Sequence, residues 1–135
     1  DYLDLPPELI ERSLTGGLTM TPRGVQARED RFLIFHEGAA TFPWRSQAIW
    51  FYVQMKRWGH IQDSGSGHQV ALKTFDPALY RKALEPLGVE LPGANAKLEG
   101  ALPQRVPAAS NRGRLFLGPD LFCDGVTFDP DAYLS

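Results

Sequence analysis

After residue 88, proline and glycine recur so closely that no long helix or strand fits in the remainder of the chain. Two short stretches there, 115–117 and 126–128, have the apolar composition typical of strands. The same region carries aromatic side chains that need a packing partner, which a disordered tail would not provide. These are Phe116, Phe122, Phe128 and Tyr133. The pattern predicts an irregular C-terminal strap over residues 89–135, packed on a helical part formed by residues 1–88.

The segment from Thr41 to Gly59 has the strongest helical pattern of the chain. Apolar side chains recur there at helical spacing and form one stripe, made of Trp44, Ala48, Phe51, Met55 and Trp58. We expect this helix to be largely buried, so that Phe51→Ala would cost about 3 to 5 kcal/mol. The alternative is that the tryptophans, with Trp50, form an aromatic cradle for a ligand or a stacked base, but the helical spacing favours a core.

Shorter elements are predicted on either side of this helix. A helix over Leu5–Thr15 has prolines in its first turn and glycines after its end. Another covers about residues 70–75, and the Asp76-Pro77 pair caps a helix that continues to Leu87. The apolar run Phe32–Phe35 suits a strand buried on both faces, with a helical segment as the alternative. Residues 16–30 are expected to be an exposed connector.

Length and composition limit the class of protein. The chain has 135 residues, 43% of them hydrophobic and 22% charged, which fits one compact unit over residues 1–135. We expect a mainly α fold with a few short β-strands, of the α+β class. The net charge of −2 disfavours nucleic acid as a partner. No apolar run reaches the roughly 20 residues of a membrane span, and no apolar leader opens the chain at Asp1.

Positive charge is concentrated in the middle of the chain. Residues 1–30 hold 3 basic and 6 acidic side chains, whereas residues 31–60 hold 4 basic and 1 acidic. The basic residues are Arg31, Arg45, Lys56 and Arg57. Such a group usually forms a solvated helix face, and the alternative is a surface for an anion or an acidic partner.

The usual patterns of catalytic and metal-binding side chains are absent from the sequence. The histidines His36, His60 and His68 do not stand at ligand spacings, and His36-Glu37 lacks the second histidine of a zinc motif because residue 40 is alanine. Cys123 is expected to be buried and structural, since its acidic neighbour Asp124 does not favour a reactive cysteine. The sequence therefore predicts no enzyme activity, no catalytic residue, no metal site and no cofactor.

Acidic residues near the C-terminus and one arginine need separate interpretations. Asp120, Asp124, Asp129 and Asp131 do not match a calcium loop, and carboxylates beside proline usually stabilise turns. Arg45 follows Trp44 at a predicted helix start, where backbone N–H groups and a guanidinium converge on an anion. The candidate ligand-binding residues are Arg45, Trp44 and His36.

Several stretches resemble a known family. The Phe42-Pro43-Trp44-Arg45-Ser46 run is its most specific motif. The similar stretches are 2–10, 35–51 with its continuation through 54–55 and 57–59, 76–84 and 118–130. They resemble the C-terminal region of the nitrate and bicarbonate solute-binding proteins of ABC importers, within the type II periplasmic-binding-protein family.

This resemblance implies a C-terminal portion of a two-lobed α/β binding protein more than twice as long. It implies a small oxyanion ligand (nitrate, nitrite or bicarbonate) for the full-length protein, with ABC transporter membrane subunits as partners and a periplasmic or membrane-associated lipoprotein location. The alternative is a cytoplasmic nitrate-sensing or regulatory module that binds a partner protein. A piece of such a protein would expose apolar surface, so we also expect a homo-oligomer.

Overall fold

The computed structural model describes residues 5–29, 32–62 and 64–133, which combine helices with short antiparallel strands. The helices are α1 (Pro7–Leu14), α2 (Arg45–Arg57), α3 (Gly67–Thr74) and α4 (Pro77–Leu84). The strands are β1 (Gly17–Thr19), β2 (Gln26–Arg28), β3 (Val106–Ala108) and β4 (Leu115–Leu117), and short 3₁₀ turns cover Glu37–Ala39, Glu85–Leu87 and Pro130–Tyr133. The sequence predicts one compact unit, whereas the described residues divide into two compact units, with the boundary along the chain between residues 37 and 38.

The first unit contains α1 and a β-hairpin. Pro7 opens α1 as predicted, and the helix ends before Thr15 and Gly16, whose φ of 72° only glycine adopts easily. The connector predicted for residues 16–30 instead forms antiparallel β1 and β2, with Leu18 paired to Ala27. The hairpin was missed because its strands have three residues each, too few for an alternating pattern to be read.

The apolar run Phe32–Phe35 was predicted wrongly as a buried strand. The structure has neither a strand nor a helix there, and the four side chains are exposed by 48, 43, 39 and 61%. Burial of a four-residue strand on both faces needs two covering layers, and the first unit contains only α1 and the hairpin. The prediction failed because burial depends on covering layers from distant parts of the chain, which a local sequence pattern does not reveal. Arg31 lies outside the described residues.

The second unit contains α2, which ends just before Gly59 as predicted but begins at Arg45, later than the predicted start at Thr41–Pro43. Trp44 precedes it with an extended backbone, and Gly59 follows it with a φ of 71°. The predicted buried stripe is correct only for its first half. Trp44 and Ala48 are 3% and 6% exposed, whereas Phe51, Met55 and Trp58 are 52, 40 and 60% exposed. The C-terminal half of α2 therefore presents an apolar face to solvent.

Helices α3 and α4 lie where the sequence predicts them, with different limits. α3 begins at Gly67, about three residues before the predicted start, and α4 ends at Leu84, where a 3₁₀ turn over Glu85–Leu87 replaces its predicted last turn. The Asp76 carboxylate accepts hydrogen bonds from the backbone N–H groups of Ala78 and Leu79, both at 3.0 Å, which is the predicted cap of α4. Gly67 at the start of α3 is buried against Tyr52 of α2, where a Cβ would collide with the phenol ring. A glycine at this position lets α3 approach α2 closely.

The strap from residue 89 onward packs on the helical part as predicted. Phe122 stacks on Trp50 of α2 with ring centroids 5.7 Å apart. The predicted strand at 115–117 is β4, which pairs with β3, a strand hidden from sequence reasoning by Pro107. The prediction for 126–128 was wrong, because only Phe128 forms an isolated bridge, to Glu99.

Two of the four C-terminal aspartates stabilise turns, as predicted. The carboxylate of Asp124 accepts from the N–H of Val126 at 3.0 Å, and that of Asp129 accepts from the N–H of Asp131 at 2.9 Å. Asp120 differs, since it accepts from the N–H of Leu102 and forms an ion pair with Lys97. Turn chemistry therefore explains two of these carboxylates, and long-range pairing explains Asp120.

A buried polar cluster fastens the strap to the first turn of α2. We call it the Lys97 network, and it comprises Ser46, Lys97, Glu99 and Asp120. Lys97 Nζ lies 2.6 Å from a carboxylate oxygen of Glu99 and 2.6 Å from one of Asp120. Ser46 is fully buried and donates from Oγ to the other oxygen of Glu99 at 2.5 Å. Charged groups at this depth are stable only when paired in this way.

The turn between β3 and β4 is held by Glu90, and this contact predicts a pH dependence. A hydrogen bond from Ser110 Oγ lowers the pKa of the Glu90 carboxyl, helped by the N–H of Arg114 and opposed by burial. A lowered carboxyl pKa stabilises the fold at neutral pH, and this stabilisation is lost as the pH falls through the folded-state pKa. We expect Ser110→Ala to lower the Tm at pH 7 and to have less effect in acid.

Thermal unfolding at a series of pH values measures this difference. Ser66→Ala is the control, because the hydroxyl of Ser66 makes no capping hydrogen bond at the start of α3. A difference in Tm between wild type and Ser110→Ala that stays constant from pH 7 into acid would contradict the role given to Glu90.

Candidate anion-binding site

Arg45 is the first residue of the 13-residue helix α2. Its backbone N–H donates to the carbonyl oxygen of Asn95 at 2.9 Å. Its side-chain Nε is buried and has no hydrogen-bond partner among the described residues. Leaving a buried donor unsatisfied costs about 1–3 kcal/mol, and more for a charged group. An acceptor that reached this nitrogen would therefore be bound favourably.

Arg81 of α4 supplies a second guanidinium beside residues 92–95. Its Nε donates to the carbonyl of Pro92 at 2.8 Å, and Nη1 donates to Oδ1 of Asn95 at 2.7 Å. Nη2 donates to the carbonyls of Gly93 and Ala94, at 3.2 and 2.6 Å. These acceptors are all uncharged, so they orient the guanidinium rigidly without neutralising its charge.

The two guanidinium groups act on each other electrostatically. Asn95 accepts from both residues, through its carbonyl from Arg45 and through its side chain from Arg81. Burial and the nearby charge of Arg45 lower the pKa of Arg81. Across residues 5–29, 32–62 and 64–133, neither arginine forms an ion pair. Arg45 at the start of α2 and Arg81 of α4 are therefore two positive charges without an acidic partner among these residues, and the dipole of α2 adds to their field.

Aromatic side chains close one side of this pair of arginines. The ring centroid of Phe42 lies 5.0 Å from Cζ of Arg81, and Phe42 packs edge-on against Trp44 and Tyr80. Phe42 and Trp44 are only 2% and 3% exposed. Trp44 thus stands in the core behind Arg45, where it fixes the start of α2.

The other predicted candidates are distributed over the chain. His36 is exposed and belongs to the first unit, whereas Arg45 and Trp44 belong to the second. Trp50 stacks on Phe122, and Trp58 is 60% exposed. The three tryptophans therefore have three different environments and do not form one buried stripe.

The described structure also bears on the predictions for Cys123 and for metal binding. Cys123 is exposed, so the prediction of a buried structural cysteine was wrong; it lies in a turn of the strap, away from the core. Within the described ranges, no cluster of three His, Cys, Asp or Glu side chains is arranged to hold a metal ion. The helices of the described residues are all too short or too polar to cross a bilayer.

Sequence reasoning identified Arg45 and missed Arg81 and Asn95. Arg81 lies 36 positions after Arg45, on a helix whose Asp76 cap was predicted correctly. No local pattern distinguishes it from a solvated helix arginine, because its acceptors are backbone carbonyls of residues 92–94. Glu85 stands four positions after Arg81, so the sequence favours an ordinary ion pair on the helix surface and contains no signal for the site.

Three known proteins show what this chain is similar to. It is 31% identical to the nitrate/nitrite binding protein NrtA of Synechococcus elongatus, over 99% of this chain and 27% of that protein. It is 27% identical to NrtA of Synechocystis sp., over 95% of this chain and 26% of that protein. It is 26% identical to the bicarbonate-binding protein CmpA of Synechococcus elongatus, over 100% of this chain and 29% of that protein.

The chain spans a little over a quarter of the length of these curated relatives. No protein-family model matches it, and no solved structure matches it. The similarity nevertheless extends over almost every residue of the chain and includes the segment that carries Arg45. These relatives are named as nitrate/nitrite-binding and bicarbonate-binding proteins.

Proposed function

We propose that this chain is the C-terminal part of the solute-binding component of a nitrate, nitrite or bicarbonate ABC importer. Its similarity to binding proteins for these anions supports the proposal. The observation that carries it is that Arg45 of α2 and Arg81 of α4 lie close enough to repel each other, while Nε of Arg45 is buried without a hydrogen-bond partner among the described residues. In this proposal the chain belongs to a two-lobed periplasmic-binding-protein fold, functions outside the cytoplasm as a periplasmic protein or lipoprotein, and catalyses no reaction.

The chemistry of the arginine pair suits a small oxyanion. A planar guanidinium donates two parallel hydrogen bonds to two oxygens of a trigonal anion, and such charge-assisted bonds are roughly twice as strong as neutral ones. The Nε of Arg45 is the donor still in need of an acceptor. Arg81 has its donors committed to residues 92–95, so it contributes mainly its charge.

The chain supplies one part of the binding protein in this proposal. Because it spans little more than a quarter of its relatives, other contacts to the anion come from the rest of the full-length protein. Asn95 holds the backbone of Arg45 and the side chain of Arg81 in one geometry. The chain thereby supports closure around the ligand and adds a fixed positive field to it.

Calorimetric titration with nitrate, nitrite and bicarbonate at low salt tests this proposal, with chloride as the control anion. We expect saturable binding of at least one oxyanion, and a loss of affinity of about tenfold or more in Arg45→Gln. The variant should unfold at the same temperature as wild type or at a higher one, because it removes one of two like charges that repel each other in the folded chain. Arg57→Gln is the matched control, since Arg57 is exposed at the other end of α2.

Two results would contradict the arginine pair as an anion site. One is a titration without heat for all three oxyanions, and the other is equal affinity of wild type and Arg45→Gln. Either result would favour the alternative function, a regulatory module that binds a protein partner. The exposed apolar half of α2 is the observation that supports that alternative.

A further inference from the structure

An apolar groove runs between α2 and α3 in the second unit. It has a volume of about 400 Å³ and is lined mainly by Ala48, Phe51, Tyr52, Met55, Val70 and Ala71; we call it the α2–α3 groove. Phe51, Met55 and Val70 are 52, 40 and 63% exposed. Contiguous apolar surface of this kind gains free energy when another apolar surface covers it.

The helices that form the groove are exclusively cationic. Arg45, Lys56 and Arg57 belong to α2 and Lys73 belongs to α3, and neither helix contains an acidic residue. Asp63, in the connection between them, lies outside the described residues. A positive potential around an apolar floor favours a ligand that combines apolar and acidic side chains.

Helix α1 has the complementary properties. None of its residues is buried, and Leu9 and Leu14 are 49% and 55% exposed, with Leu5 just before the helix at 54%. Glu8 and Glu11 are acidic and Arg12 in the last turn is basic, so α1 carries one net negative charge. With eight residues, α1 is about 12 Å long, and the stretch of α2 from Ala48 to Met55 that lines the groove is about 10 Å long.

We propose that α1 of a second copy of this chain docks in the α2–α3 groove. The leucines of α1 cover Phe51, Met55 and Val70, and its glutamates face the cationic residues of α2 and α3, as in other helix-in-groove complexes. Helix and groove are different surfaces of the chain, so a closed dimer requires each copy to place its α1 in the groove of the other. The product is a dimer with two equivalent contacts.

Sedimentation velocity over a range of protein concentrations tests this pairing. We expect wild type to dimerise, and Leu9→Asp and Val70→Asp each to raise the dissociation constant about tenfold or more. Both positions are exposed, so the variants should keep the far-ultraviolet circular dichroism and Tm of wild type. Leu79→Asp is the matched control, because Leu79 is a 64% exposed leucine on α4, outside the groove.

Mixing the two disrupted variants gives the sharpest result. Leu9→Asp keeps an intact groove and Val70→Asp keeps an intact α1, so each alone should be monomeric and their equimolar mixture should form a heterodimer through one contact. Glu11→Lys should weaken the dimer, and adding Lys73→Glu should restore part of the affinity.

The proposal is overturned if wild type stays monomeric at every concentration, or if the mixture of Leu9→Asp and Val70→Asp stays monomeric. It is also overturned if Leu79→Asp disrupts the dimer as strongly as Leu9→Asp. Dissociation by Leu33→Asp but not by Leu9→Asp would assign the groove to the exposed run Phe32–Phe35 instead, and would equally refute the role of α1.

Discussion

Replacement of Lys97 by methionine should lower the free energy of unfolding by about 3 kcal/mol, because it leaves two carboxylates without their cation. The side chains of Lys97 and Glu99 are 17% and 8% exposed, and that of Asp120 is 24% exposed. Water therefore reaches the two carboxylates only partly and does not fully replace their lost ion pairs. Methionine preserves most of the aliphatic stem, which limits the change to charge and hydrogen bonding. Urea unfolding at pH 7 measures the loss.

A matched variant and a double variant define the source of this effect. Lys82→Met on α4 removes an exposed lysine that has no ion pair in the described part of the chain, and it should change the stability by less than about 0.5 kcal/mol. Adding Asp120→Asn to Lys97→Met should recover part of the loss, since one uncompensated charge disappears. If Lys97→Met costs less than about 1 kcal/mol, the network contributes no more than a surface ion pair.

Phe42→Ala should be similarly costly, with an expected loss of about 3 to 5 kcal/mol from the cavity it leaves. Phe42 is 2% exposed and contacts Trp44, Tyr80 and the guanidinium of Arg81. Phe51→Ala is the same chemical change on a side chain 52% exposed, so it should cost less than about 1 kcal/mol. Both values come from the same urea unfolding experiment.

The sequence pattern predicted that Phe51→Ala would cost about 3 to 5 kcal/mol, and the exposure of Phe51 corrects this value. A cost for Phe51→Ala as large as that for Phe42→Ala would mean that the C-terminal half of α2 is covered in solution. If the dimer proposed above forms, the cost of Phe51→Ala in free energy of unfolding should also depend on protein concentration, whereas the cost of Phe42→Ala should not.

Local signals predicted the elements that depend on nearby residues. Pro7, Asp76 and Gly59 mark the start or end of α1, α4 and α2 where the sequence placed them, because caps and turn residues act within a few positions. Burial depends on which distant segments arrive to cover a face. The run Phe32–Phe35 and the outer half of α2 look apolar in sequence, and the described structure leaves both exposed.

The candidate site shows the same division between local and distant information. Arg45 is recognisable at a helix start from its own neighbourhood. Arg81 and Asn95 become part of the site only through hydrogen bonds that span up to 50 residues, between Arg45 and Asn95. Sequence separation of this size leaves no periodic signal, so the second guanidinium could be found only from the structure.

The hydrogen bonds made by Asn95 have a thermodynamic consequence. They connect the N–H of Arg45 and the guanidinium of Arg81, so these two like charges become neighbours only when the chain folds. Folding therefore includes an electrostatic cost. In the proposed function, a bound anion offsets this cost in the folded chain but not in the unfolded chain, whose charges are far apart. In that proposal, anion binding and folding are thermodynamically coupled, so each favours the other.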